Sequence, residues 1–147
     1  AFGWGIPMAF AAENGAVPAL AWWLLLVNTV WSVIYDTEYA MVDREDDLAV
    51  GIKSTAILFG RYDVPVIALL MAVMLVLLAS VGLQAGLVWP WYLGLAIAAI
   101  LFGWQLLTIR RREREACFRA FMNNNWVGFA LWLGLLLHYF VAGAYFA

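Results

Sequence analysis

Charge is what this sequence has least of. Only 12% of its 147 residues are Asp, Glu, Lys or Arg, while 67% are hydrophobic, and an average soluble domain is about 25% charged. An ordinary soluble domain is thereby excluded. A basic excess is missing as well: ten acids against eight Lys and Arg leave a net charge of −2. Nucleic-acid binding, which draws on a clustered surplus of positive charge, is excluded with it. The single cysteine, Cys117, cannot close an internal disulfide. With only one histidine, His138, beside it, no Cys/His zinc cluster can be assembled.

What is present in quantity is apolar sequence in long uncharged runs. Residues 14–35 carry no charge, nor do 64–109 over 46 positions, nor 120–147 over 28. A helix needs about 20 apolar residues to cross the hydrocarbon core, so the middle run is too long for one crossing. Gly82, Gly86 and Pro90 mark a turn within it. The expectation is an all-α transmembrane helical bundle with four full spans, at roughly 18–37, 64–82, 89–109 and 122–143. Trp22, Trp23, Trp89, Trp91 and Trp126 near span starts, and Tyr139, Phe140, Tyr145 and Phe146 near the last end, suit interfacial anchors.

Ala1 to Ala12 are apolar and meet Glu13-Asn14-Gly15, which reads as the tail of a preceding helix and its turn. Nothing basic occurs before Arg44, unlike the start of a signal peptide. The expectation is a single transmembrane domain over 1–147, the C-terminal portion of a longer one. Every Lys and Arg falls in 38–63 or 110–121, two connections on the same side of the membrane if four spans alternate. By the positive-inside rule that side is cytoplasmic, and a bacterial inner membrane is the expected location.

Between Tyr35 and Asp63 lie seven acids, Asp36, Glu38, Asp43, Glu45, Asp46, Asp47 and Asp63, with three bases. If the first helix continues past Tyr35, an advance of about 100° per residue puts Asp43 about 20° behind Asp36 and Asp47 about 20° ahead of it. Glu38 and Glu45 then point to the opposite side, and Asp46 lies about 80° off the stripe. Like charges at i, i+4 weaken an isolated helix by a few tenths of a kcal/mol. Two carboxylates a turn apart suit Mg²⁺, which takes one or two carboxylates and completes its shell with water and substrate phosphate. The same density also suits a solvated interfacial loop whose acids face water, and composition leaves both readings open.

The run Tyr35-Asp36-Thr37-Glu38-Tyr39-Ala40-Met41-Val42-Asp43-Arg44-Glu45-Asp46-Asp47, followed by Gly51-Ile52-Lys53-Ser54-Thr55-Ala56-Ile57-Leu58-Phe59-Gly60, resembles the second aspartate-rich motif of the UbiA-type intramembrane prenyltransferases. The resemblance resumes at 112–118 and 120–125 and begins at Gly3-Trp4-Gly5-Ile6-Pro7. Within the superfamily it is nearest to the members that prenylate 4-hydroxybenzoate in ubiquinone biosynthesis.

The resemblance implies a fragment of a nine-helix fold around a central cavity. Two aspartate-rich motifs there bind Mg²⁺ and the diphosphate of a polyprenyl donor. The second motif, Asp-x-x-x-Asp, falls on Asp43 and Asp47, with Asp36 as an outer member; the first motif is not in this sequence, and the fragment alone is expected to be inactive.

On that reading Asp43 and Asp47 are the catalytic, metal-holding pair. Lys53, and after it Arg44 and Arg61, neutralise diphosphate oxygens, and Tyr39, about 60° from Asp36 on the helix, faces the allylic cation. The expected partners are polyprenyl diphosphate, 4-hydroxybenzoate and the lipid bilayer. The alternatives are another acceptor (a dihydroxynaphthoate, a homogentisate or a haem vinyl group), a transporter, or a non-catalytic membrane scaffold.

Other polar residues carry structural expectations. Gly51-Ile52-Lys53-Ser54-Thr55 lacks the glycine spacing of a P-loop but offers helix-capping hydroxyls. Asn123 to Asn125 open the last expected span and either cap it or bond between helices. Asn28, Thr29 and Ser32 are expected to bond across helices. His138 is expected to be a neutral packed histidine, and Cys117 a plain reduced thiol.

Overall fold

A computed structural model describes residues 2–145, with side chains for 3–143. The expected anchors Tyr145 and Phe146 lie outside the side chains described. Among the described residues the regular structure is helical: α1 Gly5–Asn14, α2 Ala19–Val42, α3 Arg44–Val50, α4 Thr55–Phe59, α5 Asp63–Gln84, α6 Trp89–Ile109 and α7 Arg114–Tyr145, with 3₁₀ turns at Phe2–Trp4 and Gly60–Tyr62. Four stretches are long and apolar enough to cross a membrane: Ala19–Val42, Thr55–Gln84, Trp89–Ile109 and Arg114–Gly143. The four-span expectation holds, and α1 supplies the short preceding helix.

Glycine sets two of the stops. Gly86 (φ 64°) takes the left-handed conformation after α5 while the Leu87 N–H donates to the Gly82 carbonyl at 2.8 Å. Gly51 (φ 75°) does the same after α3, with Ile52 N–H on the Asp47 carbonyl at 2.9 Å. Both are helix ends of the kind that only glycine adopts cheaply. Pro90 lies in the first turn of α6, where its missing N–H costs nothing.

Several boundaries differ from the sequence expectation. Helix α7 begins at Arg114, eight positions before 122, because Arg114 to Arg119 continue the helix beyond the apolar run. Asn123 to Asn125 therefore lie inside α7 and cap nothing. Trp126 lies within α7 and is 63% exposed. Trp91 is also no anchor: it is 6% exposed, rests against Gly82 and donates its indole N–H to the Leu78 carbonyl at 3.3 Å. Gly82 is accordingly a packing position within α5 whose carbonyl also accepts the bond that closes the turn. Thr29 bonds its own helix at the Leu25 carbonyl, 2.8 Å, and Ser32 accepts from Tyr35 on the same helix at 3.2 Å, so neither crosses to a neighbour.

The tightest packing is between α6 and α7. A Cβ at Gly94 would come within 2.6 Å of the Ala130 carbonyl oxygen and 3.3 Å of the Gly134 Cα, and one at Gly134 within 2.9 Å of the Pro90 carbonyl oxygen. Gly94 and Ala98 on one helix, Ala130 and Gly134 on the other, form small-residue pairs four apart that bring the backbones together, a common solution where no hydrophobic effect drives association. Ile34, Ile67, Met71, Met74, Phe102 and Val127 fill the remaining core between α2, α5, α6 and α7.

Candidate functional site

The two basic connections meet at one end of the bundle, as charge parity requires. Asp63, the first residue of α5, is fully buried and is gripped from two sides. The Arg44 Nη1 donates to its Oδ2 at 2.9 Å. Arg112 donates through Nη2 to Oδ1 at 2.7 Å and through Nε to Oδ2 at 3.0 Å, a bidentate fork. The Val64 N–H adds a bond to Oδ1 at 2.7 Å. Arg112 also reaches the Arg61 carbonyl at 3.1 Å and has φ 54°, a backbone region sparsely populated outside glycine. Hydrogen bonding to Asp63, with its charge, raises the Arg112 guanidinium above its usual pKa. The turn between α6 and α7 is thereby tied to the start of α5 and to α3.

Helix α2 ends one residue before Asp43, which has φ −96° and ψ 9° and separates α2 from α3. The continuous acidic helix expected from residue spacing is therefore broken at Asp43. The break preserves the spacing that matters, because the Asp47 N–H donates to the Asp43 carbonyl at 2.8 Å, so the two aspartates remain one turn apart at the start of α3. Both are partly buried. The Arg114 Nη2 lies 3.5 Å from Asp43 Oδ1 and 3.1 Å from Asp46 Oδ2, while Asp47 has no side-chain hydrogen bond or ion pair among the described residues. Asp36 is exposed on α2, seven residues and about 10.5 Å of helix rise before Asp43. Among the described residues no group of three His, Cys, Asp or Glu comes together as a metal cage, so Asp36 does not join Asp43 and Asp47 in a three-ligand set.

Two carboxylates a turn apart, one of them with no partner, do fit a cation that needs one or two protein oxygens and otherwise takes water and phosphate. Of the expected diphosphate-binding cations, Lys53 stands exposed in the short connection between α3 and α4. Arg44 is committed to Asp63, contrary to its expected availability, because the buried carboxylate needs a counter-charge. Arg61 is exposed and lies over the Tyr62 ring, 4.7 Å from its centroid. Ser54 takes the N-cap position of α4 without a side-chain capping bond. Tyr39 is 46% exposed and packs on Phe121 at 5.2 Å between ring centroids, within a cluster that includes Tyr35 and Phe118.

Behind this end lies a polar layer that residue spacing does not reveal. Glu38, on the side of α2 opposite Asp36 as the helical rotation predicts, is 0% exposed. Its Oε2 accepts from the Asn124 amide at 2.7 Å, and the Asn124 carbonyl oxygen accepts from the Trp31 indole at 2.9 Å. The Gln105 amide donates to Asn123 at 3.0 Å. Glu38 Oε1 and Gln105 Oε1 remain buried without partners. The expectation that the asparagines bond between helices is met, tying α2 and α6 to α7. Beside them is a cavity of about 450 Å³ between α2 and α7, with Asn28, Trp31, Tyr35, Phe121, Asn124 and Asn125 among its walls. His138 is 8% exposed and accepts from the Val88 N–H through Nδ1 at 3.1 Å, a bond that requires a free lone pair and hence fits the packed neutral role. Cys117 is wholly buried.

A model of the UbiA prenyltransferase family matches residues 1–133. The chain is 58% identical over 143 residues to a protein named 4-hydroxybenzoate octaprenyltransferase from Alkalilimnicola ehrlichii, covering 97% of this chain and 49% of the relative. Proteins of the same name from Pseudoalteromonas atlantica and Enterobacter sp. are 53% and 54% identical, over 96% and 95% of this chain and 50% and 48% of theirs. The chain thus spans about half the length of the curated relatives it matches. No solved structure matches it.

Proposed function

Because the chain belongs to the UbiA prenyltransferase family, we propose that it is part of an enzyme that transfers a polyprenyl group from its diphosphate to 4-hydroxybenzoate, forming a ring carbon–carbon bond ortho to the phenol. The allylic C–O bond breaks, diphosphate leaves with the bonding electrons, and the ring carbon loses its proton. The names of the relatives point to octaprenyl as the donor chain and to the ubiquinone pathway. The single observation that carries the proposal is the helix break at Asp43, which keeps Asp43 and Asp47 one turn apart at the end of a membrane-crossing helix.

Asp43 and Asp47 are the residues to hold Mg²⁺, with Asp36 outside their turn. The ion supplies Lewis-acid stabilisation of charge developing on the leaving diphosphate. Lys53, free of any acid partner among the described residues, and the exposed Arg61 are the cations we assign to the diphosphate oxygens. Arg44 acts at one remove, by fixing the segment that carries Asp43. The aromatic cluster of Tyr35, Tyr39, Phe118 and Phe121 offers ring faces to an allylic cation, and the apolar surroundings keep water from it. The site end faces the cytoplasm of a bacterial inner membrane.

The test uses the full-length protein with 4-hydroxybenzoate, octaprenyl diphosphate and Mg²⁺. Asp43→Asn and Asp47→Asn should each lower kcat by about 10²–10³, the cost of removing one preorganised stabiliser of developing charge. Undiminished turnover after chelation of Mg²⁺, or in either variant, overturns the proposal.

A further inference from the structure

The eight basic residues are unequally committed. Arg44 and Arg112 are taken up by Asp63, Arg114 by Asp43 and Asp46, and Arg61 lies over Tyr62. Lys53, Arg110, Arg111 and Arg119 form no ion pair among the described residues, and the last three line one groove of about 570 Å³ between the end of α6 and the start of α7. The spacing explains the convergence. Arg110 and Arg111 follow directly on Ile109, the last residue of α6, and Arg119 lies on α7 three positions after Ala116, so the turn between the helices brings the three cations to one groove. The lone acid lining the groove, Glu113, is outnumbered three to one.

The surroundings make an unaccompanied cluster costly. Three guanidinium groups gather at the connection between α6 and α7, with only Glu113 among the residues lining the groove to balance them. Leu107, which also lines the groove, is 67% exposed and faces outward from a bundle that crosses a membrane. A cationic groove edged by an exposed leucine at the end of a membrane-crossing helix matches an anionic headgroup with an acyl chain beside it, whereas a free anion would gain nothing from the leucine.

We propose that this groove binds an anionic phospholipid, its phosphodiester held by Arg110, Arg111 and Arg119 and an acyl chain lying along Leu107. Neither Asp43 nor Asp47 lines the groove, and the proposal does not depend on the reaction assigned to them. It differs from diffuse attraction to the membrane surface in having a defined stoichiometry and a defined acid, Glu113, that opposes it.

Native mass spectrometry of the full-length protein in neutral detergent, with phosphatidylglycerol or phosphatidylcholine added at equal concentration, tests the proposal. The unaltered protein should retain phosphatidylglycerol preferentially, one molecule per chain at this site. Arg110→Gln, Arg111→Gln and Arg119→Gln should each lower retention about fivefold, since a basic residue near the headgroup contributes about 1 kcal/mol. Glu113→Gln should raise it, a gain that misfolding cannot mimic. Equal retention of the two lipids, unchanged retention in the Arg119→Gln variant, no gain in the Glu113→Gln variant, or displacement of the lipid by inorganic phosphate at equal concentration each overturns it.

Discussion

Asp63 and Asp43 stand at the same end of the bundle and both face arginine, yet they are held in opposite ways. Asp63 is fully buried, and its two oxygens are occupied by the Arg112 fork, Arg44 and a backbone N–H. Asp43 is partly exposed and touches Arg114 only at 3.5 Å, with Asp47 unpartnered a turn away. A carboxylate whose acceptor sites are filled by protein donors has nothing left to offer a ligand. One with a long, exposed contact can exchange it. The first belongs to the frame, and the second is available for chemistry.

The contrast predicts a separation of effects. In the proposed enzyme, Asp43→Asn and Asp47→Asn should cost about 10²–10³ in kcat while leaving thermal stability in detergent nearly unchanged, and a large loss of stability in these variants would erase the distinction. Asp63→Asn should do the reverse first. Removing one member of a buried ion pair costs about 3–5 kcal/mol, here about 2–4 because both arginines are partly solvated. A denaturant titration that finds Asp63→Asn as stable as the parent would show that the clamp is dispensable.

A third carboxylate sharpens the comparison. Glu38 is as buried as Asp63 but has an amide partner instead of a cation. Glu38→Gln preserves a carbonyl oxygen for Asn124 and should cost under about 1 kcal/mol, whereas Glu38→Ala leaves the Asn124 amide short of an acceptor and should cost about 1–3 kcal/mol. Unfolding midpoints of the two variants, measured side by side, check the ranking. The smallest expected effect is at Arg114. Exposed ion pairs contribute about 0–1 kcal/mol, so Arg114→Gln should tighten Mg²⁺ binding to the substrate-free protein by no more than about fivefold, as read by calorimetry. A greater gain would make Arg114 a firm partner of Asp43 and collapse the contrast.

Residue patterns expose one of these classes and hide the other. The spans are legible because membrane insertion tolerates little charge, so the charged positions outline the helices. Asp43 and Asp47 are legible because a single helical turn relates them, and the local break at Asp43 leaves that turn intact. The Asp63 clamp joins residues 19 and 49 positions apart, and no local rule connects them. Glu38 was placed on the correct side of α2 by rotation, but only the packing of α7 supplies the asparagine that makes its burial tolerable. The start of α7 is hidden because apolar content marks where a helix enters lipid, not where its hydrogen bonding begins. Arg114, Glu115 and Arg119 extend the helix into the aqueous side.

The glycine seam between α6 and α7 bears on how the proposed enzyme would accommodate a long isoprenoid. Where Gly94 meets Gly134 the two backbones touch with no side chain between them, so no rotamer change can part the helices gradually. The pair is expected to move as a single stave. In the proposed enzyme, entry of a bulky tail from the bilayer would then have to exploit a different boundary, one whose contacts are made by pliable side chains.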